Sequence, residues 1–194
     1  SVLSKKELLR KYFGVLSFQE FNQTHSTNIF GIDALGNNEC DGFLSSECKA
    51  AFAIKTADCI PLLLWDESKS VMSGLHCGWK GLKNDIISKA IEGNSSQPFT
   101  YAYIGPHISK DYFEVKDDFI EAFKESNKDI EPFLDNFDGK NYMNLREYTV
   151  NELHQYGIEI INNFSPCSYL EKDHFFSWRR DNANPFRNLT IAWF

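Results

Sequence analysis

AAFAIKTADCIPLLLWDESKSVMSGLHCGWKG, residues 50–81, decides how the rest of the chain is read. Two apolar strands are expected around the charged turn Asp66–Ser70: Ile60–Trp65 before it and Val71–Leu75 after it. A further strand, Ala50–Lys55, precedes them across the polar junction Thr56-Ala57-Asp58-Cys59-Ile60-Pro61. Cys59 falls in that junction, and His76 falls where the last strand ends, just before a glycine-tryptophan-lysine-glycine turn. A thiol and an imidazole at neighbouring strand ends suit a soft or borderline metal ion, or a nucleophile and its base. Gln23-Thr24-His25 offers a third partner.

Working outward, Ser4-Lys5-Lys6-Glu7 is a capping box, and the helix it opens is stopped by Gly14. Val15–Phe21 reads as a strand, with Ile29–Ile32 as its continuation and a Gly/Asn-rich loop over Asp33–Asp41. Trp79, Leu82, Ile86, Ala90 and Ile91 recur at the spacing of one helix ending at Gly93-Asn94. Phe99–Ile104 is a strand, Tyr112–Val115 a short one, and Phe119, Ile120 and Phe123 mark another helix. Asn127–Asn144, interrupted by Pro132 and Gly139, reads as an irregular excursion. A helix over Leu145–Tyr156 with Gly157 as its stop, a strand Ile158–Ile161 and a strand Leu189–Phe194 complete the chain. Helices and strands mix without a β-α-β rhythm. The expected class is α+β, mixed β-sheets packed as a sandwich with flanking helices, in one domain over residues 1–194.

The chain has 194 residues, 42% hydrophobic and 24% charged, which suits one soluble domain with a sizeable core. A net charge of −7 argues against nucleic acid or an anionic membrane as partner, while leaving room for a local basic pocket for phosphate. No apolar run reaches the roughly 18–20 residues of a membrane span. Five cysteines in no dense framework point to free thiols in a reducing cytoplasm. No G-x-G-x-x-G or P-loop pattern is present, which removes the familiar nucleotide folds.

Each candidate residue also has a plain reading. His25 is an exposed polar histidine or a ligand; Cys59 is a small buried residue or a thiolate; His76 is core or a ligand. Two imidazoles and a thiolate would leave a fourth tetrahedral position for water or substrate, as catalytic zinc sites do. Cys77 adjoins His76, and successive strand residues face opposite ways, so Cys77 is assigned to the core. Asp58 is a turn cap or a proton carrier beside the thiol. Lys80 is a solvated lysine or an anion contact at a helix start. Arg179 and Arg180, among Phe175, Phe176 and Trp178, are an exposed basic pair or a phosphate contact. His107, His154 and His174 are assigned to structure or surface.

An ordered set of motifs then carries a resemblance. Gln23-Thr24-His25 is similar to Q-V-H, Cys40-Asp41-Gly42-Phe43 to A-D-A/G, Thr56–Pro61 to T-A-D-C-x-P, and His76–Gly81 to H-A-G-W-R-G. Ile104-Gly105-Pro106 with Tyr112–Val115, and Phe175–Asp181 as F-F-S-x-R-R-D, follow in the same order. The chain thus resembles the YfiH-like family, known both as polyphenol oxidase/laccase-domain proteins and as purine nucleoside phosphorylases. The resemblance implies metal ligands at His25, Cys59 and His76; that donor set suits zinc, with copper as the alternative, and Asp58 and Cys59 are the expected catalytic residues. It implies phosphorolysis of adenosine, inosine, guanosine and methylthioadenosine, with adenosine deamination as a second reaction. Gln23, Lys80, Arg179 and Arg180 are then the expected contacts to nucleoside or phosphate, in a cytoplasmic monomer or weak homodimer. The family's N-terminal R-x-G-G-x-S stretch has no counterpart here, and Lys80 stands where an arginine is usual, losing the planar two-pronged donor. Three rival functions are a laccase-like copper oxidase, a metal-free cysteine hydrolase on Cys59 and His76, and a non-catalytic binding protein.

Overall fold

Residues 50–77 fold as three strands that do not share one sheet. The computed structural model describes residues 4–33, 39–47, 49–182 and 184–193. In chain order its strands are β1 Ser17–Glu20, β2 Ile29–Phe30, β3 Gly42–Ser45, β4 Ala50–Thr56, β5 Ile60–Trp65, β6 Met72–Cys77, β7 Tyr101–Ile104, β8 Glu114–Val115, β9 Leu134–Phe137, β10 Lys140–Met143, β11 Glu159–Ile160 and β12 Asn188–Trp193. Its helices are α1 Lys5–Phe13, α2 Trp79–Lys83, α3 Ile86–Glu92, α4 Asp117–Glu125, α5 Leu145–Gln155 and α6 Trp178–Asp181. β5 and β6 form the expected hairpin inside a mixed six-stranded sheet of order β11-β7-β5-β6-β3-β2. β4 lies instead in a three-stranded sheet, parallel to β1 and antiparallel to β12. The chain therefore crosses from one sheet to the other at residues 57–59.

Alternation along β4 explains the layering. Ala50, Phe52 and Ile54 meet Phe21, Phe43 and Met72 in the core between the sheets, where the Phe43 and Phe52 rings stack at 4.4 Å. Ala51 and Ala53 face the other way, into a small cluster with Val15 and Phe18 that Leu9 and Phe13 of α1 partly cover. The second face of the larger sheet packs on the helices through Leu62, Leu64, Leu75, Ile86, Ile87, Phe123 and Leu153. The result is the expected sandwich of β-sheets with flanking helices. Ser4 caps α1 with a complete capping box, and Gly14 ends it in the left-handed region at φ 67°.

Four expectations need correction. Ile29–Phe30 does not continue β1; it pairs with β3 at the edge of the larger sheet. The single helix expected over Trp79–Ile91 is broken, because Asp85 takes φ 66° and separates α2 from α3. Asn127–Asn144 is not irregular: β9 and β10 form a hairpin whose turn, Asp138-Gly139, holds both residues at positive φ. Lys110–Tyr112 is a 3₁₀ turn, so the short strand there shrinks to β8. Most of the loop expected over Asp33–Asp41 lies outside the described residues, as does Phe194. Among the described residues no helix is long and apolar enough to cross a membrane, and Cys40, Cys59, Cys77 and Cys167 are free thiols.

Candidate metal centre

The sheet crossing places Cys59 immediately before β5, and the β5–β6 register sets Pro61 opposite His76 at the end of β6. The third partner arrives from the segment after β1. His25, Cys59 and His76 offer ligand atoms that all lie within 4.8 Å of one another, the one such group among the described residues. Cys59 Sγ is 4.0 Å from His25 Nε2, and the two imidazole centroids are 4.7 Å apart. Donors around one four-coordinate zinc lie roughly 3.5 Å apart, so small side-chain rotations would complete a site. Gly78 makes room for this approach. A Cβ there would stand 2.8 Å from His25 Cδ2 and 3.2 Å from Cys59 Sγ.

His25 holds its position through a side chain that sequence reasoning did not assign. Asp41, fully buried, accepts the backbone N–H groups of Thr24 (3.0 Å), His25 (3.0 Å) and Ser26 (2.6 Å), and the Ser26 hydroxyl at 2.7 Å. Three successive amides wrapping one carboxylate form an anion nest, and His25 takes φ 60° within it. The same carboxylate accepts a hydrogen bond from His76 Nδ1 at 2.7 Å, which leaves Nε2 for a ligand. One aspartate thus orients two of the three donors. Its signal in the sequence was Cys40-Asp41-Gly42-Phe43, a motif matched without a role.

Two acidic groups here are held toward their anionic forms, while His76 must give up a proton before its Nε2 can ligate. Burial alone would raise the Cys59 thiol, but hydrogen bonding to His25 and His76, and their charge, bring it down to about 7. Burial works to lower His76, yet hydrogen bonds to Asp41 and Cys59 hold it up at about 9. Burial likewise opposes ionisation of Asp41, and the His76 and Ser26 hydrogen bonds hold it down at about 2. Cys77 is wholly buried and its thiol is raised well above its ordinary value, in agreement with its assignment to the core.

The three donors sit in the wall of a cavity of about 700 Å³. Trp79, Ile108, Phe113 and Leu145 supply its apolar lining, while Lys55, Arg179 and Arg187 bring positive charge. None of these three cations makes an ion pair among the described residues. Arg179 donates to the Glu114 carbonyl at 3.0 and 3.1 Å, and Arg187 to the carbonyls of Asn184 and Phe186 at 2.8 and 2.7 Å. Arg187 was missed because it sits in a loop before β12 with no motif around it.

Other expected contacts are placed differently. The Arg180 guanidinium is fully committed to the carbonyls of Ser168, Tyr169 and Phe175 and to Asp181, so it braces the F-F-S-W-R-R-D turn and does not line the cavity. Lys80 is exposed, with its ammonium 5.7 Å from the Trp79 centroid, and is also absent from the lining. Gln23 lines the cavity, but its amide pairs with both the N–H and the C=O of Lys55, extending the ladder of β4. Asp58 lines the cavity too; its two oxygens accept the Ser168 hydroxyl and the Arg179 N–H, each at 2.7 Å. His107 is buried and its Nδ1–H donates to the Gly105 carbonyl at 2.8 Å, and His154 and His174 are exposed, as expected.

The family described as multi-copper polyphenol oxidoreductase laccase matches residues 1–194. A purine nucleoside phosphorylase of Haemophilus influenzae is 29% identical, over 100% of this chain and 82% of its own length. The adenosine deaminase RL5, from an unknown prokaryote, is 30% identical over 87% of this chain and 71% of its own length. Among solved structures, the hypothetical protein YfiH of Bacillus licheniformis superposes with a TM-score of 0.75 at 25% identity, covering 90% of this chain and 73% of that one. With the donor cluster and the ordered motifs in place on this framework, the chain belongs to the YfiH-like, laccase-domain family.

Proposed function

We propose that the protein is a zinc-dependent purine nucleoside phosphorylase acting on adenosine, inosine, guanosine and methylthioadenosine, with adenosine deamination as a second reaction. The observation that carries this reading is the His25–Cys59–His76 cluster set in a cavity with three cations that make no ion pair among the described residues. Similarity to a phosphorylase and to a deaminase supports it. Two imidazoles and a thiolate are a borderline-soft donor set suited to zinc. A divalent ion held there supplies Lewis acidity and a water acidified toward neutral pH.

The remaining work falls to the side chains. Asp41 fixes the His76 ring and the backbone at His25. Arg179 and Arg187 hold phosphate, whose oxygen attacks C1′ of the ribose as the bond from C1′ to the base breaks and its electrons leave with the base. Asp58 acts by holding the Arg179 backbone in place, not as the free proton carrier that its sequence position had offered. The apolar wall receives the base and excludes water. A multicopper oxidase is disfavoured by the donor set: a trinuclear cluster needs many histidines, and no second group of three ligands exists among the described residues.

The test is phosphate-dependent release of base from inosine and adenosine by metal-loaded protein. Cys59→Ala is expected to lose both metal and turnover. Arg187→Gln is expected to raise KM for phosphate about tenfold, whereas Arg180→Ala should lower stability without a selective change in that constant. Turnover that ignores phosphate, or none at all, sinks the phosphorylase reading.

A further inference from the structure

Three large aromatic rings line the cavity, and two of them are already committed to packing. Trp79 lies 5.4 Å from the Phe119 ring with Lys80 beside it, and Phe113 meets Phe119 edge-on at 5.9 Å beneath the Arg179 guanidinium. Both pack against the main core. Trp178 differs in each respect. It is 53% exposed and belongs to none of the core clusters. Its one aromatic or cationic neighbour among the described residues is the Arg187 guanidinium, 5.3 Å from a ring centroid.

The backbone on either side of the ring is anchored. Ser177, at the head of α6, accepts the Arg180 N–H at 3.2 Å, and Asp58 takes the Arg179 N–H at 2.7 Å. The residues immediately before and after Trp178 are therefore tied down, one of them to the residue next to Cys59. An indole left in water forfeits a large apolar surface that a flat ligand would cover. A guanidinium against one face leaves the opposite face for a second flat group, and every nucleobase offers one.

We propose that Trp178 is the platform on which the purine base of the substrate stacks, with Arg187 backing the indole. The inference rests on the nucleoside reading given above and assigns a base contact to a residue outside the metal site. It separates two jobs within one cavity: Trp178 reads the base, while Arg179 and Arg187 hold phosphate.

The test compares Trp178→Ala and Trp178→Tyr in metal-loaded protein. Trp178→Ala is expected to raise KM for inosine about tenfold, to raise KM for phosphate by less because Arg187 loses only its ring contact, and to leave the melting temperature unchanged because the ring is outside the core. Trp178→Tyr should restore most of the loss. An unchanged KM for inosine, or an equal rise in KM for phosphate, overturns the platform while the phosphorylase reading stands. Quenching of tryptophan emission by free adenine gives a readout independent of turnover. If the protein turns over no nucleoside yet adenine quenches the wild type and not Trp178→Phe, the platform stands and the enzymatic reading fails. Absence of quenching in both proteins, with no turnover, overturns both.

Discussion

Asp41→Asn is the most informative single change, because one carboxylate serves two ligands. Asparagine keeps one acceptor oxygen and replaces the other with an NH₂ donor. If its oxygen faces Thr24 and Ser26, its NH₂ faces the His25 N–H and His76 Nδ1, which now bond to Asp41 at 3.0 and 2.7 Å. The His25 amide then loses its acceptor. The His76 ring can accept from the new amide only by moving its proton to Nε2, the nitrogen needed for a metal. The opposite rotamer strands the Ser26 and Thr24 donors instead. Two hydrogen bonds to a charged group, at about 1.5–3 kcal/mol each and partly recovered by the amide, put the loss of folding stability at roughly 2–4 kcal/mol. Loss of a ligand's supporting carboxylate weakens metal binding about 10- to 100-fold, or about 1.4–2.7 kcal/mol. Zinc affinity by competition with a chromophoric chelator, alongside urea unfolding of the metal-free protein, measures both. A folded Asp41→Asn protein that binds zinc within twofold of wild type refutes the role.

Two further outcomes follow from the same geometry. Gly78→Ala puts a methyl group against His25 and Cys59 at 2.8 and 3.2 Å, so it is expected to cut zinc occupancy and cost about 1–3 kcal/mol of stability; full zinc loading by elemental analysis would contradict it. Asp66, beneath the β5–β6 turn, is opposed by burial, but hydrogen bonds from Ser68, the Val71 N–H and Ser70 lower it from 3.8 to about 2. A carboxyl depressed in the folded state stabilises above its unfolded value, and that contribution, about 2 kcal/mol, is lost as pH falls from about 4 through 2. In Asp66→Asn the fall in urea stability over that window should shrink by about this amount, and an unchanged pH slope removes the assignment.

The three candidate donors were legible one by one, from chemical type and position near strand ends, but only the ordered family motifs joined them into one set. Their support was not legible. Asp41 precedes a glycine and reads locally as a turn residue; only the fold brings it under His76, thirty-five positions away. Arg179 and Arg180 are indistinguishable by composition, and the rotation of about 100° between successive helical residues decides which faces the cavity. The β1–β4 pairing joins Ser17 to Ala50, a parallel contact that no local pattern announces. The β9–β10 hairpin did carry a signal, Asp138-Gly139, but the polar strands around it lack the alternation that marks a buried face.

The passage of the chain from one sheet to the other at residues 57–59 gives the candidate centre a mechanical meaning. His25 follows the smaller sheet's first strand, His76 ends a strand of the larger one, and Cys59 sits on the bridge between them. An ion gripped by all three would act as a rivet through both plates, so any breathing of the sandwich would be felt first as loosened coordination.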